Sequence, residues 1–406
     1  MSEASWKTPD FFKDVIVRDL RLECSDSFKI TTFSVGKASE ETAGYMSQIY
    51  RVLIEIEFTE EPIPHKPTSL SYIVKEKANS VFGGRLVELL SVFPRESEVY
   101  EKLLPVFERL ASNERDGVRF GPKVYKTTTT PDTVIVMEDL ARGQFCMPEK
   151  RYGLPVTDVK RILAKLAQLH AASAVYTEKV EPFSDLFADG VISERTIDCL
   201  SEYYEPLYSA FVQSLRDRNF APEYLQPLIA LDGHLLRECC KAQKIDQSEL
   251  NVLNHGDLWP NNVMFREDDL RILDFQTAFY GSPVADLLYF FTTSALELMC
   301  DSLEELLQYY HQHLVQALKQ MQYYRPIPTY AELLEQMRRR GILLLPSLSE
   351  ATAMTMYGLT EPSDMAMITS EQPEGVALRQ RVYNNPTFTA LIDRLLPKLY
   401  ELKLLK

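Results

Sequence analysis

Asn254-His255-Gly256-Asp257-Leu258-Trp259-Pro260-Asn261-Asn262, followed by Arg271-Ile272-Leu273-Asp274-Phe275-Gln276, is the stretch on which the reading of this chain turns. Its spacing is that of a phosphoryl-transfer centre. Such chemistry uses an Asp to take up the proton of an attacking hydroxyl, an Asn five residues later to bind Mg²⁺, and a second Asp after a short hairpin to hold the metal on the ATP phosphates. Asp257, Asn262 and Asp274 stand at those places, so Asp257 is the candidate catalytic residue and Asn262 and Asp274 are the candidate metal ligands. A tight loop can aim Asp257 at a substrate while it turns the Asn262 amide oxygen back toward the metal, and hard Mg²⁺ prefers such oxygen ligands. Apolar Ile272 and Leu273 ahead of the acid predict a short strand over 270–273 that delivers Asp274 to the same spot. The four fixed positions H-x-D-L-x-x-x-N arise by chance in roughly a few per thousand chains of this length. The alternative, an Asn- and Asp-rich turn between helix and strand, does not account for the Asp-Phe that follows at the right distance.

At 406 residues the chain exceeds a usual single domain, which predicts two lobes or domains. Hydrophobic residues make up 45% of it, enough for a substantial core, while 25% are charged and the net charge is -14. An acidic body of this kind argues against a nucleic-acid binder, whose footprint would be basic, and requires a phosphate site to be locally positive. The N-terminus, Met1 to Lys7, has no apolar core for a signal peptide, and no run approaches the length needed to span a bilayer. Cys24, Cys146, Cys199, Cys239, Cys240 and Cys300 are scattered without metal or disulfide spacing, so the cytoplasm is the expected compartment.

Upstream, residues 11–30 alternate charged and apolar groups, as an amphipathic helix or a leading edge would. Ser34-Val35-Gly36 and then Ala43 to Ile56 read as a small, flexible turn leading into an alternating strand, a hairpin candidate for covering ATP phosphates through Gly44 and Ser47. An ordinary β-turn would look the same, because only Gly44 lies centrally. Glu60 to Pro67 is a Pro-rich connection. Ser69 to Lys75 is a second strand, with Ile73 and Lys75 on one face. Phe93, Tyr100 and Leu104 place a helix over 93–104 against the sheet. Gly121 to Tyr125 and Asp132 to Leu140 read as a two-strand hairpin. After residue 144 the period becomes helical: Val159 to Ser173, then Tyr203 to Arg216, Pro227 to Lys241, Val284 to Met299, Ser302 to Gln322 and Tyr330 to Leu345.

Taken together these residues resemble the kinase-like superfamily branch that contains choline and aminoglycoside kinases, and more closely the ecdysteroid-kinase-like (CHK kinase-like) family. The marks are Gly44-Tyr45-x-Ser47, Phe93-x-x-Glu96-x-x-x-Tyr100, Glu138-Asp139-Leu140, Leu169-His170-Ala171-x-Ser173, His255-Gly256-Asp257-x-Trp259-x-x-Asn262, and Asp274-Phe275-Gln276 followed by Pro283-x-x-Asp286-Leu287. The resemblance implies an α+β, two-lobed protein-kinase-like fold: a β-rich, five-stranded N-terminal lobe with one packed helix over residues 1–140, and a larger helical C-terminal lobe over residues 141–406. It implies ATP and Mg²⁺ as cofactors, with ATP in the cleft. Lys75 would bond the α- and β-phosphates, steadied by Glu96 or, as the fallback, Glu98. The Glu138 carbonyl and Leu140 amide would meet the adenine edge, with Met137 closing the pocket behind it. His255 would pack beneath the catalytic loop and Asp286 would support it. His170, at the end of its helix, reads as a packed, hydrogen-bonded histidine. Two departures are the sparse glycine loop and the last hundred residues, where the match fades.

A protein kinase would need an activation segment and an Ala-Pro-Glu anchor after the metal-binding Asp. Only Thr277 to Ser282 separate Gln276 from Pro283, so a small hydroxylated acceptor is favoured over a peptide. A non-catalytic nucleotide-binding scaffold is the other rival, and the retention of Lys75, Asp257, Asn262 and Asp274 argues against it. For the acceptor, Trp259, Phe279, Tyr280, Tyr289, Met354, Met356, Tyr357, Met365 and Met367 suit a bulky, partly apolar alcohol. An ecdysteroid hydroxyl is the leading expectation from the resemblance. A choline- or aminoglycoside-type substrate is the alternative, with Glu361, Asp364, Glu371 and Glu374 as acids for a polycation.

Overall fold

The computed structural model describes residues 5–38, 47–59, 68–77, 84–112, 117–149, 153–359 and 362–406. Gly44 and Glu361 lie outside them. The chain divides into two compact units, one of Met1–Gly84 with Gly121–Cys146 and the other of Arg85–Phe120 with Met147–Lys406.

In the first unit, helix α1 (Pro9–Leu20) precedes five antiparallel strands, β1 (Phe28–Lys37), β2 (Ser47–Phe58), β3 (Thr68–Lys77), β4 (Val124–Thr128) and β5 (Val134–Glu138), in the order β1-β2-β3-β5-β4. Alternation along the strands puts Val52, Ile54 and Ile56 of β2, Tyr72 and Val74 of β3, and Val134 and Val136 of β5 on one face. There they form a core with Trp6 and with Phe12, Val15 and Ile16 of α1. Trp6 is fully buried and its indole N–H donates to Glu76 Oε1 at 2.8 Å, so the ring satisfies its one polar atom while burying its area. The Tyr72 hydroxyl donates to Asp19 at 3.0 Å and ties α1 to β3.

Strand β1 departs from the expected turn at Ser34-Val35-Gly36. The partly buried residues are Ile30 and then Phe33 and Val35, and the register against β2 shifts between Ile30 and Thr32. This irregularity moves the inward positions from even to odd numbers and conceals the two-residue period that would mark a strand.

The second unit begins with α2 (Gly84–Leu90), α3 (Val92–Glu98), a π-helical turn (Val99–Leu103) and α4 (Leu104–Ala111), where one helix was expected over 93–104. From Arg85 on, these helices belong to the second unit. Phe107 meets Tyr176 and Phe183 edge-on at 5.6 and 6.3 Å, the Phe120 amide donates to Glu108 at 2.9 Å, and the Ile272 amide donates to the Phe120 carbonyl at 2.7 Å.

Then follow α5 (Val156–Lys179), α6 (Ile197–Asp217), α7 (Pro222–Ala230) and α8 (Leu235–Ala242). The single helix expected from Pro227 to Lys241 is broken between α7 and α8, where Gly233 takes a φ of +72° that a continuing helix cannot use. Two small antiparallel pairs come next: β6 (Val252–Asn254) with β9 (Phe279–Gly281), and β7 (Val263–Arg266) with β8 (Asp269–Ile272). Helices α9 (Val284–Ser294), α10 (Leu296–Gln320), α11 (Tyr330–Arg340), α12 (Leu344–Ser347), α13 (Ala353–Tyr357), α14 (Pro362–Ile368), α15 (Pro373–Tyr383) and α16 (Pro386–Glu401) complete the unit, with a second π-helical turn, Leu348–Thr352, between α12 and α13. The architecture is α+β and kinase-like. Among the described residues no helix is long and apolar enough to cross a membrane.

Trp6 anchors the core face of the first unit, and its replacement leaves both a cavity and a Glu76 carboxylate without its indole donor. Trp6→Ala is expected to cost about 3–5 kcal/mol, read as a lower midpoint in urea unfolding.

Candidate active site

The loop from Asn254 to Asn262 connects β6 to β7, and its shape is dictated at Gly256. This residue has a φ of +80°, and a Cβ there would collide with the Thr277 carbonyl, so the position demands glycine on two counts. Asp286, fully buried in the first turn of α9, holds the loop from below. Its carboxylate accepts from the His255 amide at 2.7 Å, the Gly256 amide at 2.8 Å and His170 Nε2 at 3.1 Å, while the Tyr310 hydroxyl meets His170 Nδ1 at 2.7 Å. Burial alone would raise the Asp286 pKa, but the hydrogen bond and charge of His170 and the Gly256 amide hold it below the usual range.

His255 sits between the two acidic segments. Its Nε2 donates to the Leu273 carbonyl at 2.7 Å, its Nδ1 accepts from the Asp257 amide at 3.2 Å, and its ring lies 4.8 Å from that of Phe275. Both nitrogens are engaged with the backbone, which closes the role of base to it. The Leu273 amide donates to the Asn262 carbonyl at 2.8 Å and completes the tie between loop and strand. Asp274 follows in the left-handed region, φ 64° and ψ 65°, with its amide donating to the Tyr100 hydroxyl at 3.1 Å. The Tyr100 ring packs edge-on against Phe275 at 5.6 Å, so the turn after α3 fixes an unusual backbone conformation at a candidate metal ligand.

Asp257 accepts from the Tyr289 hydroxyl at 2.5 Å and from Asn262 Nδ2 at 3.1 Å; the same amide nitrogen donates to the Asp257 carbonyl at 2.8 Å. With its nitrogen thus committed, Asn262 has its Oδ1 left as a hard oxygen donor, and the Asp274 carboxylate is a second. This donor set fits Mg²⁺. Removal from water pushes the Asp257 carboxyl up to about 8; the Tyr289 and Asn262 hydrogen bonds oppose the rise, and the neighbouring Asp274 and Glu350 carboxylates add to it.

The remaining predicted residues divide between the units. In the first, Lys75 is only 3% exposed on β3, between Ile49 of β2 and Ile135 of β5 and on the face opposite Tyr72 and Val74. Ser47 opens β2 and is buried. Met137 and Leu140 are buried, and Glu138 donates its amide to the Lys123 carbonyl at 2.8 Å while its carboxylate accepts from the Lys123 amide at 3.1 Å. Asp139 between them accepts from Arg51 Nε at 2.8 Å and the Ser71 hydroxyl at 2.5 Å. In the second unit Glu96 is buried in α3, whereas Glu98 accepts from the Ser184 hydroxyl at 3.0 Å.

Of the expected acceptor-lining side chains, Tyr289 reaches Asp257. Phe279 is core packed against Gly190, Tyr280 lies on Phe183, Met354 is buried and Met367 is exposed. Glu371, expected to face a polycation, pairs with Arg379 at 3.0 Å. Neither the bond from Tyr289 to Asp257 nor the approach of Glu350 was singled out from the sequence. The only advance signal for the first was the helical spacing from Asp286 to Tyr289, which places the tyrosine one turn along α9.

The kinase-like class that fold and loop define is matched by sequence. Residues 41–323 match the model of the ecdysteroid kinase-like family, and the chain belongs to that family. It is similar to methylthioribose kinases from Geobacillus kaustophilus, 26% identical over 45% of this chain and 46% of the relative, and from Geobacillus thermodenitrificans, 25% identical over 42% and 43%. The chain thus spans less than half the length of these curated relatives. Among solved structures it is similar to a choline kinase from Cryptosporidium parvum Iowa II, 11% identical over 98% of both chains with a TM-score of 0.47. A macrolide 2'-phosphotransferase from Brachybacterium faecium is 15% identical over 91% of this chain and 98% of its own, with a TM-score of 0.36.

The raised carboxyl of Asp257 has a stability consequence of definite sign. A folded-state value of about 8 against the ordinary carboxyl value of 3.8 means that the contribution is fully present below pH 3.8 and is lost as pH rises through 8. Asp257→Asn, which does not titrate, is therefore expected to gain on the wild type between pH 5 and 8, by about 1–2 kcal/mol once partial exposure is allowed for. Thermal midpoints of the nucleotide- and metal-free proteins at the two pH values check this.

Proposed function

We propose that this chain transfers the γ-phosphoryl group of ATP to a hydroxyl of a small-molecule alcohol, with Asp257 as the catalytic residue. The observation that carries this reading is the tie between Asp257 and Asn262 on a loop that His255 joins to the segment bearing Asp274. When bound, ATP and Mg²⁺ supply the phosphoryl donor and its charge neutralisation, and Asn262 Oδ1 and the Asp274 carboxylate are the groups that would hold the metal. Tyr289 and Asn262 occupy two of the roughly four lone-pair positions of the Asp257 carboxylate, leaving others to accept the acceptor's hydroxyl hydrogen. In its ionised form Asp257 thereby orients the attacking oxygen and takes its proton. Lys75 is assigned to the phosphates and Glu96 to its support; Ser47 and Gly44 are assigned to the phosphate loop, and Met137, Glu138 and Leu140 to the adenine. Most of the rate would come from positioning and from placing charge where it develops.

The leading acceptor is a bulky, partly apolar alcohol, with an ecdysteroid as the example that the family's description supports. The tyrosines grouped near Asp257 favour it. A small sugar such as methylthioribose is the second reading, from the curated relatives.

A mass-spectrometric screen of ATP-dependent phosphorylation over ecdysteroids, other sterols, choline, aminoglycosides and sugars tests the assignment. Asp257→Asn is expected to lower kcat by roughly 10²–10⁴-fold with nucleotide affinity largely retained, and Asp274→Ala to weaken Mg·ATP binding as well. Near-normal turnover in Asp257→Asn would sink the role given to that residue. Nucleotide binding with no transfer to any member of the panel would favour a non-catalytic scaffold. Separately, Lys75→Met is expected to raise the KM for ATP and lower turnover, and Glu96→Ala to act the same way more mildly. Steady-state kinetics that match the wild type in Lys75→Met would move the phosphate role to another lysine.

A further inference from the structure

We infer that Glu350 selects the acceptor: its carboxylate receives a second hydrogen-bond donor, hydroxyl or ammonium, of the same alcohol whose first hydroxyl meets Asp257. The inference rests on the phosphotransferase reading above. It concerns a residue that lies beyond residues 41–323, the stretch that matches the family, whereas Lys75, Asp257, Asn262, Asp274 and Tyr289 all lie within it.

Glu350 is carried by the π-helical turn Leu348–Thr352, and the surroundings hold that turn in place. A π turn widens the helix and releases backbone groups from the regular ladder, an arrangement that recurs at functional sites. Here the buried Tyr383 hydroxyl donates to the Ser349 carbonyl at 2.6 Å, and the Thr352 hydroxyl donates to the Thr292 carbonyl of α9 at 2.8 Å. The Thr292 hydroxyl in turn meets the Ser347 hydroxyl at 2.7 Å. Helix α9 is also the helix that presents Tyr289 to Asp257, so Glu350 and the proposed catalytic carboxylate are set by one frame.

The chemistry around Glu350 is that of a recognition site. Its Oε1 accepts from the Tyr203 hydroxyl at 2.8 Å, and the Ala351 amide also donates to the carboxylate. Among the described residues no Lys, Arg or His forms an ion pair with it, and burial raises its pKa. A carboxylate removed from water without a cation is costly, and a purely structural role at this place would be served more cheaply by an amide. The retained acid has lone pairs left for a donor, and the field of Asp257 and Glu350 together acts on Tyr289 and Tyr204, which sense both carboxylates. Tyr203 and Tyr204 meet edge-on at 5.0 Å, and the Tyr203 hydroxyl lies 3.5 Å from the Met365 sulfur. Aromatic and thioether groups suit the apolar body of an acceptor whose polar ends are taken by the two acids.

The test compares wild type, Glu350→Gln, Glu350→Ala and Tyr203→Phe at saturating ATP, with three probes: a polyhydroxylated sterol, its monohydroxy counterpart and ethanolamine. For each two-ended probe that the wild type phosphorylates, Glu350→Ala is expected to raise the acceptor KM about tenfold or more, with kcat and the KM for ATP within about twofold. Tyr203→Phe is expected to move the acceptor KM less, in the same direction. Glu350→Gln separates the two donors: its amide oxygen still accepts from a hydroxyl, so near-normal KM identifies a neutral donor, whereas a loss equal to that of Glu350→Ala identifies an ammonium. An unchanged acceptor KM in Glu350→Ala overturns the inference, as does an equal rise for the monohydroxy sterol or a parallel rise in the KM for ATP with a lowered thermal midpoint. If the wild type phosphorylates none of these probes and no member of the wider panel, the phosphotransferase reading itself fails and takes the inference with it.

Discussion

The Asp286 carboxylate is the constraint on which the site depends. It is fully buried and accepts three hydrogen bonds, two from consecutive backbone amides of the loop and one from His170, which the Tyr310 hydroxyl braces in turn. A buried carboxylate is tolerable when its lone pairs are met in this way. Two consecutive amides turned toward one carboxylate leave the loop little freedom, and Gly256 supplies the positive φ that lets them do so. Fixing the backbone at His255 and Gly256 fixes where Asp257 starts. The positions of Asn262, Leu273 and Asp274 then follow through the bonds that His255 and the Asn262 carbonyl make to the next strand.

The same site holds an unfavourable concentration of negative charge. Burial does most to raise the Asp257 carboxyl, and the Asp274 and Glu350 carboxylates add to that tension. A scaffold selected for stability alone would not retain it. Perturbed carboxyls gathered in one place mark sites that cations, protons and polar ligands relieve. Tyr289 and Asn262 moderate the tension through hydrogen bonds without removing the charge.

In the first unit an analogous economy applies at the end of β5. Asp139 is only 5% exposed, yet Arg51 of β2 and Ser71 of β3 both donate to it, and these bonds pin the segment from Glu138 to Leu140 to the sheet. Trp6 and α1 cover the opposite face, with Tyr72 bonding across to Asp19. The sheet thus has an apolar side closed by the N-terminal helix and a side on which Ile73 and Lys75 stand.

Local regularities along the chain were sufficient for β2, β3 and β5, for the short strand before Asp274 and for most of the long helices, because alternation and helical period express the burial of one face of a regular element. The loop from Asn254 to Asn262 was legible for a related reason: its spacing is short, and the turn that brings Asn262 onto Asp257 closes within it. Where regularity is interrupted, legibility ends. A register shift hid β1, and Gly233 split a helix that the apolar pattern ran straight through. The Tyr100 hydroxyl at the Asp274 amide, Tyr383 on the Ser349 carbonyl and Glu350 beside the tyrosines join residues far apart in sequence, with no periodic trace of their meeting. Only the packing of helices decided those, since what places a side chain against a distant partner is the shape of everything between them. The sequence by itself determined which chemistry the chain could attempt through residues close enough to share a turn; the tertiary structure decided which distant groups would stand around it.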